Sequence, residues 1–325
     1  MTLLAHELWF VDGVPAKDWS FLWEGRTLLL LAGALALALL VAVVGRLRPG
    51  LDQPWLARLA PWMPFAVRLH LGIALGGLLS GGYYLAPAME LGKDPVGWLL
   101  GLVVAVSAIL LLVGWHMRLG AWLLIAAGPL GMLEFGFEAI LHRVDMLGLA
   151  VFLVLAGPGR WSADHELGQA REPVTVDLGR AVWALKLAVG SALIAVAVSE
   201  KLANPDLARR FTDEQGVDFN VGRALGLPLA DTEFIRLAGG IEVLFGLLII
   251  SGALPQAIVL IAGVPFNLTL YFFGTNELLG HLPVYGAMLV LLVYGSDPVL
   301  RPFCSRLLPP LAASPPATAQ PLGDS

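Results

Sequence analysis

The chain has 325 residues, of which 58% are hydrophobic and only 14% are charged. A soluble globular domain carries about a quarter charged residues, so this composition is typical of a membrane protein. The formal net charge of -5 is small and forms no basic stripe, which argues against a nucleic-acid partner. With one cysteine, Cys304, the sequence cannot form an internal disulfide, a Cys-x-x-Cys pair or a thiolate metal cluster.

Apolar runs divide the chain into membrane spans, each of which needs about 20 residues. The clearest run is 26–45, and the acidic residues before it argue against a cleavable signal peptide. The other predicted spans are 65–88, 97–117, 119–137, 145–158, 181–199, 235–253, 256–273 and 282–296. The sequence therefore predicts an all-α membrane protein with about nine transmembrane helices.

Arginines predict how these spans are oriented. They cluster after the first span, between 158 and 180, and after the last span, in the following positions: Arg46, Arg48, Arg58, Arg160, Arg171, Arg180, Arg301 and Arg306. With nine spans all three clusters share one side, which the positive-inside rule makes cytoplasmic. The N-terminus is then outside and the C-terminus is cytoplasmic. The loop 200–234 carries conflicting basic residues, but long loops weigh less in this rule.

One segment of the chain occurs twice. Residues 97–157 overlay residues 235–295 without a gap, and eleven positions match, five of them glycines. Glycine is needed where helix backbones approach closely or turn sharply, so its recurrence indicates duplication more strongly than shared leucines. An even number of helices per copy makes the copies parallel. We therefore expect one leader helix followed by two parallel four-helix bundles, with a groove at their seam.

These spans fix the expected domain boundaries. The divisions are an extracytoplasmic N-terminal segment (1–25), a leader helix with a cytoplasmic loop (26–64), a first repeat (65–165), a linker (166–180), a second repeat (181–297) and a disordered tail (298–325). In the N-terminal segment, His6 and Glu7 suggest metal binding, whereas Trp9 and Phe10 favour docking at the membrane interface. The loop 200–234 is long enough for a short amphipathic helix over the outer mouth.

Four stretches carry a family resemblance. AVRLHLGIALGGLLSGGYYL (66–85) and ALKLAVGSALIAVAVSEKL (184–202) each have a basic residue followed by a glycine four positions on. LLLVGWHMRLGAWLL (110–124) contains a Gly-x-x-x-Arg turn, and GPGRWSAD (157–164) is the most specific of the four. These stretches resemble DoxX-type membrane proteins. The second repeat departs from the pattern, with GSDP (295–298) in place of the Gly-Pro-Gly-Arg ending.

The resemblance carries functional expectations. Members of that family resemble quinone-linked oxidoreductase subunits, including the large subunit of thiosulfate:quinone oxidoreductase, and many have no assigned activity. The resemblance thus implies a bacterial inner-membrane protein that binds a quinone without a covalent bond and works with a second redox subunit. The sequence has no dinucleotide-binding fingerprint and no haem-attachment motif, so the partner would supply any redox cofactor.

Ionisable residues within apolar spans are costly and need a reason to be there. In the first repeat, Glu134, Glu138 and His142 are spaced to share one face of a continuous helix. Glu138 and His142 can form a proton relay or supply two metal ligands, and the alternative is a capped helix end beside a solvated outer loop. Asn267 can bond a neighbouring helix or contact a ligand. Pro129 and Pro265 are expected to kink their helices.

The second repeat has the stronger candidates. Glu242 lies in the apolar run GGIEVLFG, where it must be protonated, paired or ligated. Lys201, Glu277 and His281 are expected to converge with it at the outer face, as proton exchangers and contacts for an anion or a quinone oxygen. Two function classes stay open. One is a quinone-linked oxidoreductase component; the other is a non-enzymatic carrier or ligand-binding protein in which the same residues gate a ligand.

Overall fold

The structure is a computed structural model that describes residues 7–11, 13–47, 50–170, 173, 175–215, 220, 223 and 226–308; the side chains of 175, 215, 272, 273, 275 and 276 lie outside this description. Over these residues the regular secondary structure is helical, apart from one isolated bridge between Tyr83 and Glu90. The helices are α1 (Trp19–Trp23), α2 (Gly25–Leu47), α3 (Pro54–Ala57), α4 (Met63–Ser80), α5 (Pro95–Val113), α6 (Met117–Leu141), α7 (Val144–Ala156), α8 (Ala163–Glu166), α9 (Thr175–Val196), a π-helical segment (Ala197–Leu202), α10 (Pro205–Gln215), α11 (Asp231–Ser251), α12 (Pro255–Gly295) and α13 (Arg301–Cys304), with short 3-10 turns at Glu7–Trp9 and Ala60–Trp62.

Seven helical stretches within the described residues are long and apolar enough to cross a membrane. They are Gly25–Leu47, Pro54–Ser80, Pro95–Val113, Met117–Leu141, Val176–Leu202, Asp231–Ser251 and Glu277–Gly295. The first has a mean hydropathy of 2.8, yet only 17% of it is buried, so leucines cover its outer surface. An apolar exterior of this kind is matched by lipid rather than by water. The chain is a helical membrane protein.

Two further apolar helices are shorter, so nine spans remain a prediction. Val144–Ala156 has 13 residues. At 1.5 Å per residue it extends about 20 Å, less than the roughly 30 Å of a bilayer core. Pro255–Tyr271 is the other short apolar helix. The span predicted at 65–88 also differs, because α4 ends at Ser80, before the glycine pair that turns the chain toward the Tyr83 bridge.

The two predicted proline kinks are not where the backbone leaves helical geometry. Pro129 and Pro265 both lie inside long helices, whereas the non-helical residues are Gly136 (φ 85°) in α6 and Gly274 (φ 64°) in α12. Only glycine adopts such positive φ values readily. The two glycines are partners in the overlay of 97–157 on 235–295, so one break recurs at equivalent positions of both stretches.

In each half of the chain, one buried basic side chain donates hydrogen bonds to several backbone carbonyls near the end of a helix. Arg68 donates to the carbonyls of Leu111 (2.8 Å), Pro158 (2.9 Å) and Trp161 (2.9 Å), and Lys186 donates to those of Cys304 (2.6 Å) and Arg306 (2.8 Å). Left-handed glycines, Gly114 and Gly252, end the adjacent helices α5 and α11. A Cβ at Gly114 would lie 2.4 Å from the Arg68 guanidinium, and one at Gly252 would lie 2.5 Å from Lys186 Nζ. Each glycine therefore leaves room for its basic residue.

Two helix pairs form the seam between the halves. Helix α7 packs along α9, where a Cβ on Gly148 would lie 2.1 Å from Cβ of Ala188. Helix α12 packs along α4, where a Cβ on Gly286 would lie 3.2 Å from Cβ of His70. Gly148 and Gly286 are partners in the overlay. Both contacts rely on a missing side chain, which lets the two backbones approach.

The N-terminal segment folds back over one end of the helix bundle. Val11 packs with Leu207 and Phe211 of the amphipathic helix α10. Phe10 contacts Phe211, and the ring of Trp9 lies tilted against that of His281, with ring centroids 5.6 Å apart. Both rings pack against protein and stay partly exposed, so docking of Trp9 and Phe10 at the membrane interface stays a prediction. His6 lies outside the described residues.

Candidate functional site

The site begins with the π-helical segment Ala197–Leu202, which continues α9. A π turn contains an extra residue, so it rotates the side chains that follow relative to a regular helix, and such turns are common at functional sites. Here it directs Ser199, Glu200 and Lys201 into the protein, where all three are buried. Helical periodicity alone places these residues on a regular span, so this π turn could not be predicted from the sequence.

Lys201 lies between two carboxylates. Its Nζ is 3.0 Å from Oε1 of Glu7 and 3.1 Å from Oε1 of Glu242. Glu242 comes from α11, and Gly239 of the same helix permits the close approach, because a Cβ there would lie 3.3 Å from Cβ of Lys201. The predicted proximity of Lys201 and Glu242 is present, and Glu7 joins them from the N-terminal segment.

His142 joins the two halves at the same end of the bundle. Its Nε2 is 2.6 Å from Oγ of Ser199, and its Nδ1 is 3.7 Å from Oε1 of Glu200. Glu138 lies 3.9 Å away and is ion-paired with Lys17. His142 follows the span that ends at Leu141, and burial lowers the pKa of its imidazole, an effect that the nearby carboxylates of Glu200 and Glu138 partly oppose.

His281 is held by aromatic rings and a carboxylate. Its Nδ1 lies 3.3 Å from Oε1 of Glu277, one turn earlier in α12. Its ring packs edge-on against Phe266 at 4.9 Å and tilted against Trp9 at 5.6 Å. Gly280 makes room for Trp9, since a Cβ there would lie 2.1 Å from Cζ3 of the indole.

Arg143 and Asp145 complete the site, and both are buried. Arg143 Nη2 lies 3.8 Å from Oδ2 of Asp145 and donates to the carbonyl of Gly280 at 3.0 Å. The Arg143 guanidinium also lies 5.7 Å from the ring centre of Trp9. Sequence reasoning did not propose Arg143, because the residues between two spans are expected in a solvated loop. The available signal was a charged pair at the start of the short apolar helix α7.

These residues form a polar cluster with five carboxylates, two permanent cations and two histidines. Its members are Glu7, His142, Arg143, Asp145, Glu200, Lys201, Glu242, Glu277 and His281, and every one is buried. A buried charge is costly unless it is paired and hydrogen-bonded, so such a concentration needs a chemical reason.

Two cavities meet at the polar cluster. The first is a small space of about 20 Å³ at the seam, lined on its polar side by His142, Arg143, Asp145, Glu242 and His281. It has room for about one water molecule. The second is a pocket of about 290 Å³, whose walls are mainly apolar: Leu8, Trp9, Ala86, Ala88, Met89, Phe135, Glu138, Ala139, His142 and Arg143. His142 and Arg143 line both spaces and therefore stand between them.

The candidates predicted in the first repeat separate into different environments. Gly136 interrupts α6 between Glu134 and Glu138, so the predicted common face is lost. Glu134 is exposed, Glu138 lies at the pocket rim, and His142 belongs to the polar cluster. Asn267 is exposed and donates to the carbonyl of Gly263 in its own helix at 2.7 Å, rather than to a neighbouring helix.

The cluster also differs from a metal site. Within the described part of the chain, no group of three or more His, Cys, Asp or Glu residues has an arrangement that can hold a metal ion. Comparisons with protein-family models, with curated proteins and with solved structures found no match to this chain. Function is therefore inferred from the chemistry of the cluster and its two cavities.

Proposed function

We propose that this chain is a DoxX-like component of a quinone-linked oxidoreductase system in the bacterial inner membrane. The observation that carries the proposal is the 290 Å³ pocket, which combines an apolar wall with His142 and Arg143 at its inner end. Ligand sites commonly pair apolar walls with a few directed polar groups. A quinone ring is flat and apolar, and its two oxygens need hydrogen-bond donors.

Proton exchange gives the polar cluster its role. A quinone gains two protons when two electrons reduce it, so its site needs a connection to titratable groups. His142 lies at the pocket and also contacts Ser199 and Glu200 in the protein interior. In this proposal Arg143 holds a quinone oxygen, while His142, His281 and Glu242 exchange protons with the ligand and Lys201 balances the carboxylates. A second subunit supplies the electrons.

The proposed architecture is one leader helix and two parallel four-helix repeats. It is supported by the paired glycine breaks at Gly136 and Gly274 and by the matched seam glycines Gly148 and Gly286. In such an arrangement the polar cluster lies at the seam, on the extracytoplasmic side, and the N-terminus is outside with the C-terminus in the cytoplasm.

Quinone extraction and a binding series test the proposal. Lipid extracts of the detergent-purified protein are analysed by mass spectrometry for a co-purified quinone. Binding of a short-chain quinone is then followed by quenching of tryptophan fluorescence. We expect His142→Ala and Arg143→Gln each to weaken binding at least tenfold, and His165→Ala, an exposed residue at the opposite end, to leave it unchanged. Equal binding by the parent and both pocket variants would refute the proposal.

The second candidate function is a non-enzymatic carrier. It is favoured by the succession of two cavities that share His142 and Arg143 at the seam. Alternating access in parallel-repeat proteins uses such a seam. Reconstituted vesicles distinguish the two functions, because a carrier moves a small anion or weak acid across the bilayer without any redox partner, whereas the oxidoreductase component does not.

A further inference from the structure

Two buried carboxylates share a single ammonium group at the end of the bundle. Glu7 and Glu242 approach Lys201 Nζ through Oε1 at 3.0 Å and 3.1 Å. Their second oxygens, Oε2 in each case, have no hydrogen-bond partner among the described residues. All three side chains are at most 2% exposed. Two carboxylates and one ammonium leave one uncompensated negative charge among side chains that are almost fully buried.

The surroundings do not remove this excess charge. Among the described residues, the other charged or titratable groups near the triad come from the π-helical segment, the junction between α6 and α7, the start of α7 and the middle of α12: Glu200, His142, Arg143, Asp145, Glu277 and His281. Arg143 is matched by Asp145 at 3.8 Å, and Glu200 and Glu277 each lie beside a histidine. These neighbours bring no further permanent cation to the triad, so its excess negative charge stays.

One proton resolves the imbalance. Two carboxylates held close together cannot both stay ionised at low cost, and one of them takes up a proton. A proton on either Oε2 makes the triad neutral. Glu7 lies outside the membrane-spanning stretches, and burial raises its pKa to about 8, against the opposing effect of Lys201.

We infer that Glu7, Lys201 and Glu242 form a proton-binding site that stores one exchangeable proton per chain. Glu7 is thereby a functional residue, brought to the site by the N-terminal segment rather than by a transmembrane helix. The same segment carries Trp9, which lines the 290 Å³ pocket and contacts His281. Glu242 also lines the 20 Å³ space, which shares His142 and Arg143 with this pocket. Use of the stored proton by a quinone rests on the proposed function, but its existence does not.

Difference infrared spectroscopy of the purified full-length protein tests this inference. As the pH rises through about 8, we expect the carbonyl band of a protonated carboxylic acid to disappear, with release of one proton per chain. Glu7→Gln and Glu242→Gln should each abolish both signals, since each leaves a neutral ion pair with Lys201. Lys201→Met should increase the band, because two carboxylates then have no cation. Glu24→Gln is the control, since Glu24 pairs with Arg236 at 2.7 Å, away from the triad.

The outcomes separate this site from the quinone proposal. Loss of the band in Glu7→Gln and Glu242→Gln, with retention in Glu24→Gln, supports the proton site even if no quinone binds. A band that persists in both triad variants overturns it even if a quinone does bind. Glu7→Asp guards against misfolding, because a shorter carboxylate should keep the titration at a displaced pH. If Glu7→Asp folds but behaves like Glu7→Gln, the inference is also overturned.

Discussion

Trp9 fills the space that Gly280 leaves open. A Cβ at position 280 would lie 2.1 Å from Cζ3 of the indole, which is far shorter than any non-bonded contact between two carbon atoms. The N-terminal segment is thus fitted to α12 by shape, and Glu7 reaches Lys201 because Trp9 is seated. The absence of one side chain in the second half of the chain fixes the position of a residue near its start.

Gly280→Ala should therefore displace the N-terminal segment. Overpacking costs about 1–3 kcal/mol, so we expect amide hydrogen exchange over residues 7–11 to accelerate about tenfold or more. Gly263→Ala in the same helix is the matched control, since its nearest neighbour would be 3.8 Å away. Unchanged exchange in Gly280→Ala would contradict the seating of Trp9.

Lys201→Met should destabilise the protein strongly at neutral pH. Removing one partner of a buried ion pair costs about 3–5 kcal/mol, and here two carboxylates lose the same cation. The loss should shrink on acidification, because both carboxylates are then protonated. Thermal unfolding in detergent over a pH series measures this, with exposed Lys93→Met as control. A loss that does not depend on pH would argue against the charge explanation.

His142 should make ligand binding sensitive to acid. Burial lowers the pKa of its imidazole below the ordinary 6.5, so the folded protein holds the neutral form. Stability that depends on neutral His142 is complete above 6.5 and declines as the pH falls toward the lowered pKa. Binding of a short-chain quinone should weaken over the same pH window in the parent but not in His142→Gln.

Ser199→Ala should lose about 1 kcal/mol of stability, since it removes the buried hydrogen bond between Ser199 and His142.

Gly114→Ala and Gly252→Ala should both be destabilising. Each glycine has a positive φ, 68° and 62°, and a Cβ at Gly252 would lie only 1.6 Å from the carbonyl oxygen of Cys304. Strain and overpacking together should cost about 2–4 kcal/mol in unfolding experiments. Gly33→Ala, with no atom within 4 Å, should be neutral or slightly stabilising. Equal melting temperatures for all three variants would contradict the requirement for glycine at positions 114 and 252.

The predicted topology has its own test. Reporter fusions after Gly168 and after Asp218, which lies outside the described residues, should report opposite compartments, with Gly168 in the cytoplasm. They are separated by one membrane span, α9 with its π-helical extension. The same compartment at both positions would refute nine spans with an external N-terminus.

Much of the helical framework could be predicted from hydropathy, because lipid-facing helices carry a strong compositional signal. The proximity of Lys201 and Glu242 was also predictable, since each lies in an apolar stretch and needs a partner. The contacts that bring Glu7 and Arg143 into the polar cluster were not predictable from the sequence. These contacts join segments far apart in the sequence, and hydrophobic periodicity describes each helix separately. The predicted common face of Glu134, Glu138 and His142 is lost at Gly136, because a periodic pattern assumes an unbroken helix.

The ion pairs of Lys201 also determine when the site is completed during synthesis. Glu7 is made before Lys201, and Glu242 is made later still. Until α11 has been inserted, Lys201 lacks the carboxylate of Glu242. Until α12 follows, Trp9 lacks the space at Gly280 into which its ring packs. The N-terminal segment therefore cannot dock fully on an unfinished chain. Full docking of this segment therefore reports that α11 and α12 have been made and inserted.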